Sequence, residues 1–389
     1  MTLHDWQAEL AEIMPQVIEH RRALHRCPEL SGCEEKTRGR VIGALEALGV
    51  EIRTFRDCCG VMGELKSGEG RCVAIRADMD ALPIQEQTGL PFASQVPGVM
   101  HACGHDAHTA LALGSAMWLS RNRDRWRGTV RWLFEPAEET FGGARLMAEQ
   151  GCMEGVDVVI GQHMNPRYPA GTFFAKPGYV SGSSNPLELT ILGRSCHGAY
   201  PEAGVDAIVI AAQVISALQT LISRSISPFD PAALTLGTVS GGTAGNIVCD
   251  EVKLTGTLRT LAPETCEKLK ARIREVAEGV SRAMGGDARV SIRQGYGAVY
   301  NDEAAYAVVE GLARELLGEE RIVRREAASL GVESFCYFTD HAPGVYYDIG
   351  SGVGAALHTP TFQVDEDCLL PGVALQCEAA MALLSSCQA

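Results

Sequence analysis

The densest chemistry in this chain lies in His101-Ala102-Cys103-Gly104-His105-Asp106-Ala107-His108, where three histidines, a cysteine and an aspartate fall within eight residues. The whole chain has only ten histidines. Imidazole, thiolate and carboxylate are the groups that hold borderline transition metals such as zinc, manganese, cobalt and nickel. Gly104 separates Cys103 from His105, and its backbone freedom lets both side chains turn toward one point. A polar turn that happens to contain histidine is the simpler reading of any one of these residues. The density of the run, and the carboxylates that follow it, favour a metal.

Those further groups recur where predicted strands end. Residues 72–76 read as a strand that runs into Asp78-Met79-Asp80, and residues 129–134 as one that delivers Glu135-Pro136-Ala137-Glu138-Glu139. Residues 156–160 form a third, ending in Gly161-Gln162-His163, and residues 345–349 precede a glycine-rich loop that leads to His358. Open α/β sheets place their sites just beyond the carboxyl ends of strands. In an extended segment Glu138 and Glu139 point in opposite directions, one toward a metal and the other toward a water. The ligand set collected in this way is Cys103, His105, Glu139, His163 and His358. Five ligands, one of them a thiolate able to bridge, suit two adjacent divalent metals better than one tetrahedral site. Two metals about 3.5–4 Å apart can activate a water and polarise a carbonyl together. Glu138 then fits the part of general base, taking the proton and passing it to a leaving nitrogen. Neither H-E-x-x-H nor the deaminase pattern H-x-E with a later P-C-x-x-C occurs.

The elements that must carry these groups alternate. A helix is predicted over 5–24 with Asp5 as its cap, a second over 37–48 and a third over 109–119, interleaved with the strands above. This predicts an α/β catalytic domain with a mostly parallel mixed sheet covered by helices. From Pro186 the texture changes to strand 187–192, helix 206–222, strands 233–240 and 247–259, helix 263–284 and strand 289–293. That β-α-β-β-α-β order is ferredoxin-like α+β. The expected domains are 1–185 with 297–389, and an inserted domain over 186–296, consistent with 389 residues. The run Gly241 to Gly245 is glycine-rich but lacks the G-x-G-x-x-G spacing between strand and helix.

Composition narrows the function classes. Hydrophobic residues at 46% and charged residues at 21% describe a globular protein, and a net charge of −14 argues against binding nucleic acid. The longest apolar run, 207–222, is interrupted by Gln213, Ser216 and Gln219 and reads as a packed helix, so no membrane partner is expected. Fourteen scattered cysteines without a C-x-x-C pair, and an N-terminus with no apolar signal core, predict a reduced, cytoplasmic protein.

Several runs together carry a resemblance. They are Arg76-Ala-Asp78-Met-Asp80-Ala-Leu-Pro83, Met100-His-Ala-Cys-Gly-His-Asp106, Pro136-Ala-Glu-Glu139 with Gly142-Gly143-Ala144, Gly193-Arg-Ser-Cys-His197-Gly-Ala-Tyr-Pro201 and His358-Thr-Pro360. The chain resembles, from about His25 to Asp365, the hippurate hydrolase, aminoacylase and auxin-conjugate amidohydrolase branch of the co-catalytic metallopeptidases. The resemblance implies a catalytic domain with an inserted lid and dimerisation domain, two divalent metal ions per subunit (Mn, Zn, Co or Ni), and an N-acyl amino acid as substrate. It implies Cys103 as the bridging ligand and Asp80 as the carboxylate that orients a ligand. In wider relatives a metal-binding histidine stands where this chain has Asp78, so His105 substitutes for it. By the same resemblance His197 stabilises the oxyanion, and Asn246 with Arg259 holds the substrate carboxylate. The expected assembly is a homodimer or higher homo-oligomer through the lid. Two departures are visible: Ser334 where members often have Asp within Glu-Asp-Phe, and Glu135 where they have Gln. The alternatives are a dipeptidase or carboxypeptidase of the same family, or a catalytically silent binding protein on this fold.

Overall fold

A computed structural model describes residues 1–140 and 142–386. The chain opens with α1 (Leu3–Glu9), α2 (Met14–Arg26) and α3 (Glu35–Ala47), then β1 (Glu51–Thr54), β2 (Val61–Ser67) and β3 (Cys72–Asp78). After a long loop come α4 (His105–Arg121), β4 (Gly128–Glu135), α5 (Gly143–Glu149), β5 (Val158–Asn165), β6 (Phe173–Ala175) and β7 (Gly178–Ser181). Next are β8 (Asn185–Leu192), α6 (Ala207–Arg224), β9 (Ala232–Gly241), β10 (Glu251–Thr260), α7 (Pro263–Ala283) and β11 (Asp287–Ile292). The chain closes with β12 (Val299–Asn301), α8 (Glu303–Leu317), β13 (Ile322–Arg324), α9 (Cys336–Thr339), β14 (Gly344–Gly350) and α10 (Leu369–Ser385).

The residues fall into two compact units. The first holds Met1–Val180, Tyr300–Ala327 and the stretch from Ser334. Its eight-stranded sheet runs β1-β2-β4-β3-β5-β14-β6-β13. The central pairings β4–β3, β3–β5 and β5–β14 are parallel, as is β6–β13, while β1–β2, β2–β4 and β14–β6 are antiparallel. Strands covered on both faces have no solvent side to show, so β3 and β14 are buried at every position. The covering is supplied by α4, buried continuously from His105 to Leu119, and by α10, which packs against α4 and α8. Trp118, Trp132, Phe134 and Phe173 fill this core.

The first helix differs from the expectation. It breaks between Leu10 and Ile13, and its cap is Thr2, with Asp5 completing a reciprocal capping box. Pro15, near the start of α2, has no amide hydrogen to continue the first helix and restarts the second.

The second unit holds Ser181–Val299 and Ala328–Glu333. It is wider than 186–296, because β8 starts at Asn185 and the short return segment is tied in by Gly182 N–H to Gly331 O (2.8 Å). Its sheet order is β11-β8-β10-β9, all antiparallel, with α6 and α7 packed against it. This is the ferredoxin-like arrangement. The inward faces of α6 (Ile210, Val214, Leu218) and α7 (Leu269, Ile273, Ala277) meet Leu189, Ile191, Leu254 and Leu258. Helices Ala207–Arg224 and Glu366–Ser385 are long and apolar enough to cross a membrane by length and composition. The first packs one face on the sheet of its unit, and the second is mostly buried in the core.

Candidate metal centre

The first unit gathers its polar groups where β3, β4 and β5 hand over to loops and where α4 begins. Gly104, at φ 87°, precedes α4, and a Cβ on it would lie 2.9 Å from Met164 Cγ. Only glycine combines that left-handed backbone with that close approach. The turn sets Cys103 just ahead of the helix and makes His105 its first residue, four positions earlier than the predicted start.

Cys103 lies at the middle of the arrangement. Its Sγ is 3.4 Å from Nε2 of His163 and 3.4 Å from Nε2 of His358. His358 Nε2 is in turn 3.1 Å from Glu139 Oε1. The donor atoms thus form two triads, Cys103–His105–His163 and Cys103–Glu139–His358, each with its ligand atoms within 4.8 Å of one another. Both triads contain the same thiol. Glu138 joins His105 and Glu139 in a third such group.

Two local expectations need correction. His163 is not at a strand terminus: β5 continues to Asn165, because β14 pairs alongside it with Asp348 opposite His163. Glu138 and Glu139 do not lie in an extended segment. The chain turns after Glu135, through Pro136 and through Ala137 at φ 55°, so both carboxylates reach the same group of donors.

Asp80 orders the ligands around it. His105 Nδ1 is 2.9 Å from the Asp80 carbonyl oxygen and 3.1 Å from Oδ1, so its proton is held there. The other carboxylate oxygen, Oδ2, accepts from Ser31 Oγ (2.6 Å) and from the Glu139 amide (3.1 Å). His105 Nε2 is buried and makes no hydrogen bond, with Asp78 Oδ2 3.6 Å away. A further grouping, Asp78–His105–His108, has its ligand atoms equally close. In it His108 is already engaged at both nitrogens, with Asp78 Oδ1 2.5 Å from Nδ1 and the Met164 amide donating to Nε2 at 2.8 Å. Burial lowers the His108 pKa to about 4, so the ring is neutral and serves as a strut.

The electrostatics favour a cation. Burial pushes the Cys103 thiol far above its ordinary pKa, so a thiolate there needs positive charge beside it. Burial works against a charged His105, yet Asp78 and Cys103 hold its pKa well above the ordinary value. Burial also opposes ionisation of Glu139, but His358 and His105 keep its pKa lowered. Excess negative charge, an orphaned imidazole nitrogen and a shared sulfur are what a pair of divalent ions would satisfy. The residues present fit such ions.

Glu135 and Ser334, the two positions expected from the resemblance to depart from its pattern, meet on one guanidinium. Arg76, fully buried, donates Nε to Glu135 Oε2 (2.7 Å) and Nη2 to Ser334 Oγ (2.9 Å), and its Nη1 lies 2.8 Å from Asp78 Oδ2. With Asp at 334 and Gln at 135 the partner charge would stand on one side of Arg76. With Ser334 and Glu135 it stands on the other, and the local sum is unchanged. The Ser334 amide also donates to Glu138 Oε1 at 3.2 Å.

The remaining predicted residues lie in the second unit. His197 is exposed on the loop after β8, and its Nδ1 accepts the Ala199 amide (3.0 Å), which puts the proton of a neutral ring on Nε2. Gly198 N–H donates to Asn246 O (2.8 Å) and His197 forms a bridge with Ile247, so the loops of His197 and Asn246 are laced together. Arg259, near the end of β10, donates Nη1 to Leu330 O at 3.1 Å. Residues that sequence reasoning did not single out are Arg76, Ser31 and Glu34. Ser31 meets Asp80 across 49 positions, Glu34 meets Ala137 across 103 and Arg76 meets Ser334 across 258, and no local spacing signals such pairs.

Residues 74–382 match peptidase family M20/M25/M40. The chain belongs to that family. As a family member it is a hydrolase, and it is similar along nearly its whole length to other members. A probable hydrolase of Synechocystis is 44% identical over 369 residues, covering 93% of this chain and 94% of its own length. An N-acetyl-L-cysteine deacetylase of Bacillus subtilis is 38% identical over 379 residues, covering 97% of this chain and 90% of its own. Among solved structures, a Bacillus subtilis protein described as a dinuclear metal-binding peptidase of family M20 superposes with a TM-score of 0.86. It is 36% identical and covers 96% of this chain and 99% of its own.

Proposed function

We propose that this family M20 amidohydrolase cleaves the amide bond of N-acyl amino acids, adding one water to give a carboxylic acid and a free amino acid. The observation that carries the reading is the thiol of Cys103 shared by two donor triads, with the Glu138 carboxylate beside them. The deacetylase relative supports an acylated amino acid as the substrate class.

Cys103 would be common to two divalent ions, with His105 and His163 on one and Glu139 and His358 on the other. Such ions supply Lewis acidity toward a water and a carbonyl when bound. Asp80 fixes the His105 ring and the Glu139 amide so that both donors keep their aim. Glu138, half-buried and anchored by the Ser334 amide, takes a proton from the attacking water and delivers it to the departing nitrogen. His197, with its proton on Nε2, is the proposed donor to the developing oxyanion. Arg259 and Asn246 are the proposed partners of the substrate carboxylate. A cytoplasmic location and a homodimer formed through the second unit complete the proposal. The thirteen cysteines among the described residues are all free.

The test is a screen of N-acetyl and N-benzoyl amino acids against unblocked dipeptides, with manganese, zinc, cobalt or nickel supplied in turn and free amine measured. Release from the acyl amino acids is expected. Release from dipeptides alone would move the protein to the peptidase reading, and binding without release to a silent one.

A further inference from the structure

The turn that presents Glu138 and Glu139 is strained. Strand β4 ends at Glu135, and two residues later Ala137 sits at φ 55°, in the left-handed region that a residue with a Cβ seldom occupies. The chain then folds back so closely that a Cβ on Gly143 would lie 1.6 Å from the carbonyl oxygen of Pro136. Such a conformation persists only where the surroundings over-determine it. Glu138 is pinned through its carboxylate by the Ser334 amide, and Glu139 through its amide by Asp80. The strained residue itself needs a separate anchor.

That anchor comes from the loop ahead of α3. Glu34 is 0% exposed, and its Oε1 accepts two backbone amides, Gly32 at 2.8 Å and Ala137 at 2.8 Å. The second bond spans 103 positions of sequence. Glu34 also occupies the N-cap position of α3, where a short polar side chain ordinarily satisfies the first amides of the helix. It makes no such bond. The side chain is turned away from the helix it could cap and toward the turn that carries the carboxylates.

We infer that Glu34 is a positioning residue, holding the amide of Ala137 so that Glu138 and Glu139 are both aimed at the donor group. The inference rests on the proposed roles of Glu138 as base and Glu139 as ligand. Glu34 touches neither substrate nor metal in this scheme and acts through the backbone.

The experiment is a rescue by glycine. In Glu34→Ala, metal dissociation constants measured by chelator competition should rise, and kcat on an N-acetyl amino acid should fall, each by about 10-fold or more, while KM stays within about threefold. Glu34→Gln keeps an oxygen acceptor and should stay within about threefold of the parent in both readouts. Glycine adopts the left-handed conformation without strain, so Glu34→Ala/Ala137→Gly should recover most of both losses. If Glu34→Ala does not fold, Glu34→Asp withdraws the acceptor by one methylene and takes its place with the same expected pattern. The inference is overturned if the alanine variant matches the parent, or if glycine at 137 restores neither quantity. Should the parent protein cleave no amide, the reading of Glu138 as base fails. The chelator measurement still decides the part played by Glu34.

Discussion

Cys103, His105 and Asp80 are at most 6% exposed, and each has neighbours that fix its aim. His197 and Asn246, in the second unit, stand exposed on loops joined by backbone bonds, and Arg259 is half-buried with one bond to a carbonyl. The difference follows from what each set is proposed to meet. Among the proposed donors, the start of α4 holds Cys103 and His105 and strand β5 holds His163 before any ligand arrives, whereas His358 is exposed on a loop and is steadied by Glu139 at 3.1 Å. Groups that meet an organic substrate can sit on loops and keep the freedom to re-aim.

The contrast can be broken most decisively at Glu138. Glu138→Gln should lower kcat by about 10²–10⁴-fold while metal content stays near that of the parent, since a base is removed and no ligand is lost. Metal analysis in which Glu138→Gln loses its ions and Glu139→Gln keeps them would reverse the two roles. A smaller effect is expected in the second unit. Arg259→Ala should penalise substrates with a free carboxylate by about 10- to 150-fold in kcat/KM and leave their methyl esters nearly untouched. An equal loss on both would mean that Arg259 serves the β10 end through Leu330 instead.

His197 sharpens the comparison differently. If it is supplied by a second copy of the chain, inactive Glu138→Gln and inactive His197→Ala should complement each other on co-refolding. Half the dimers are then mixed and each carries one intact site, so about a quarter of the parent activity should return. Demonstrated subunit exchange with no activity would assign His197 to its own chain.

The last expected effect is on stability, in the layer behind the metal centre. His25 is buried between Asp106 (2.9 Å) and Glu86 (3.2 Å). Burial opposes its charge, but the Asp106 carboxylate and the two hydrogen bonds outweigh it and raise the pKa to about 9. A raised pKa contributes stability that is complete below the unfolded value near 6.5 and is lost as pH rises through about 9. Unfolding by urea should therefore show a loss of roughly 2–3 kcal/mol over that window. The loss should flatten in His25→Gln, and an unchanged slope would place the pH response elsewhere.

Much of the frame was legible from periodicity. The β-α-β-β-α-β order of the second unit, the buried run of β3 and the strand-end carboxylates all follow from side-chain alternation and from apolar runs bounded by turns. What periodicity could not carry was pairing between distant segments. The extension of β5 through His163 depends on β14 lying against it. The turn at Ala137 depends on Glu34, and the joint meaning of Glu135 and Ser334 depends on Arg76 standing between them. The break before α2 was visible in principle as Pro15, but a continuous apolar spacing from Leu10 to Val17 hid it.

The place of β14 in the sheet has a consequence for how the chain is made. It is the last strand to be synthesised, yet it lies between β5 and β6 and not at an edge. Until it emerges, β5 presents one open ladder of amides and carbonyls, and the whole second unit must leave the ribosome first. His358 follows still later, so the donor group is complete only when nearly all of the chain exists. The nascent first unit is therefore an unfinished sheet with an apolar, unpaired flank, the state in which aggregation competes with folding. Arrested chains ending ahead of Gly344 should bind holdase chaperones and lose metal affinity together, and both should reverse once β14 and the His358 loop are added.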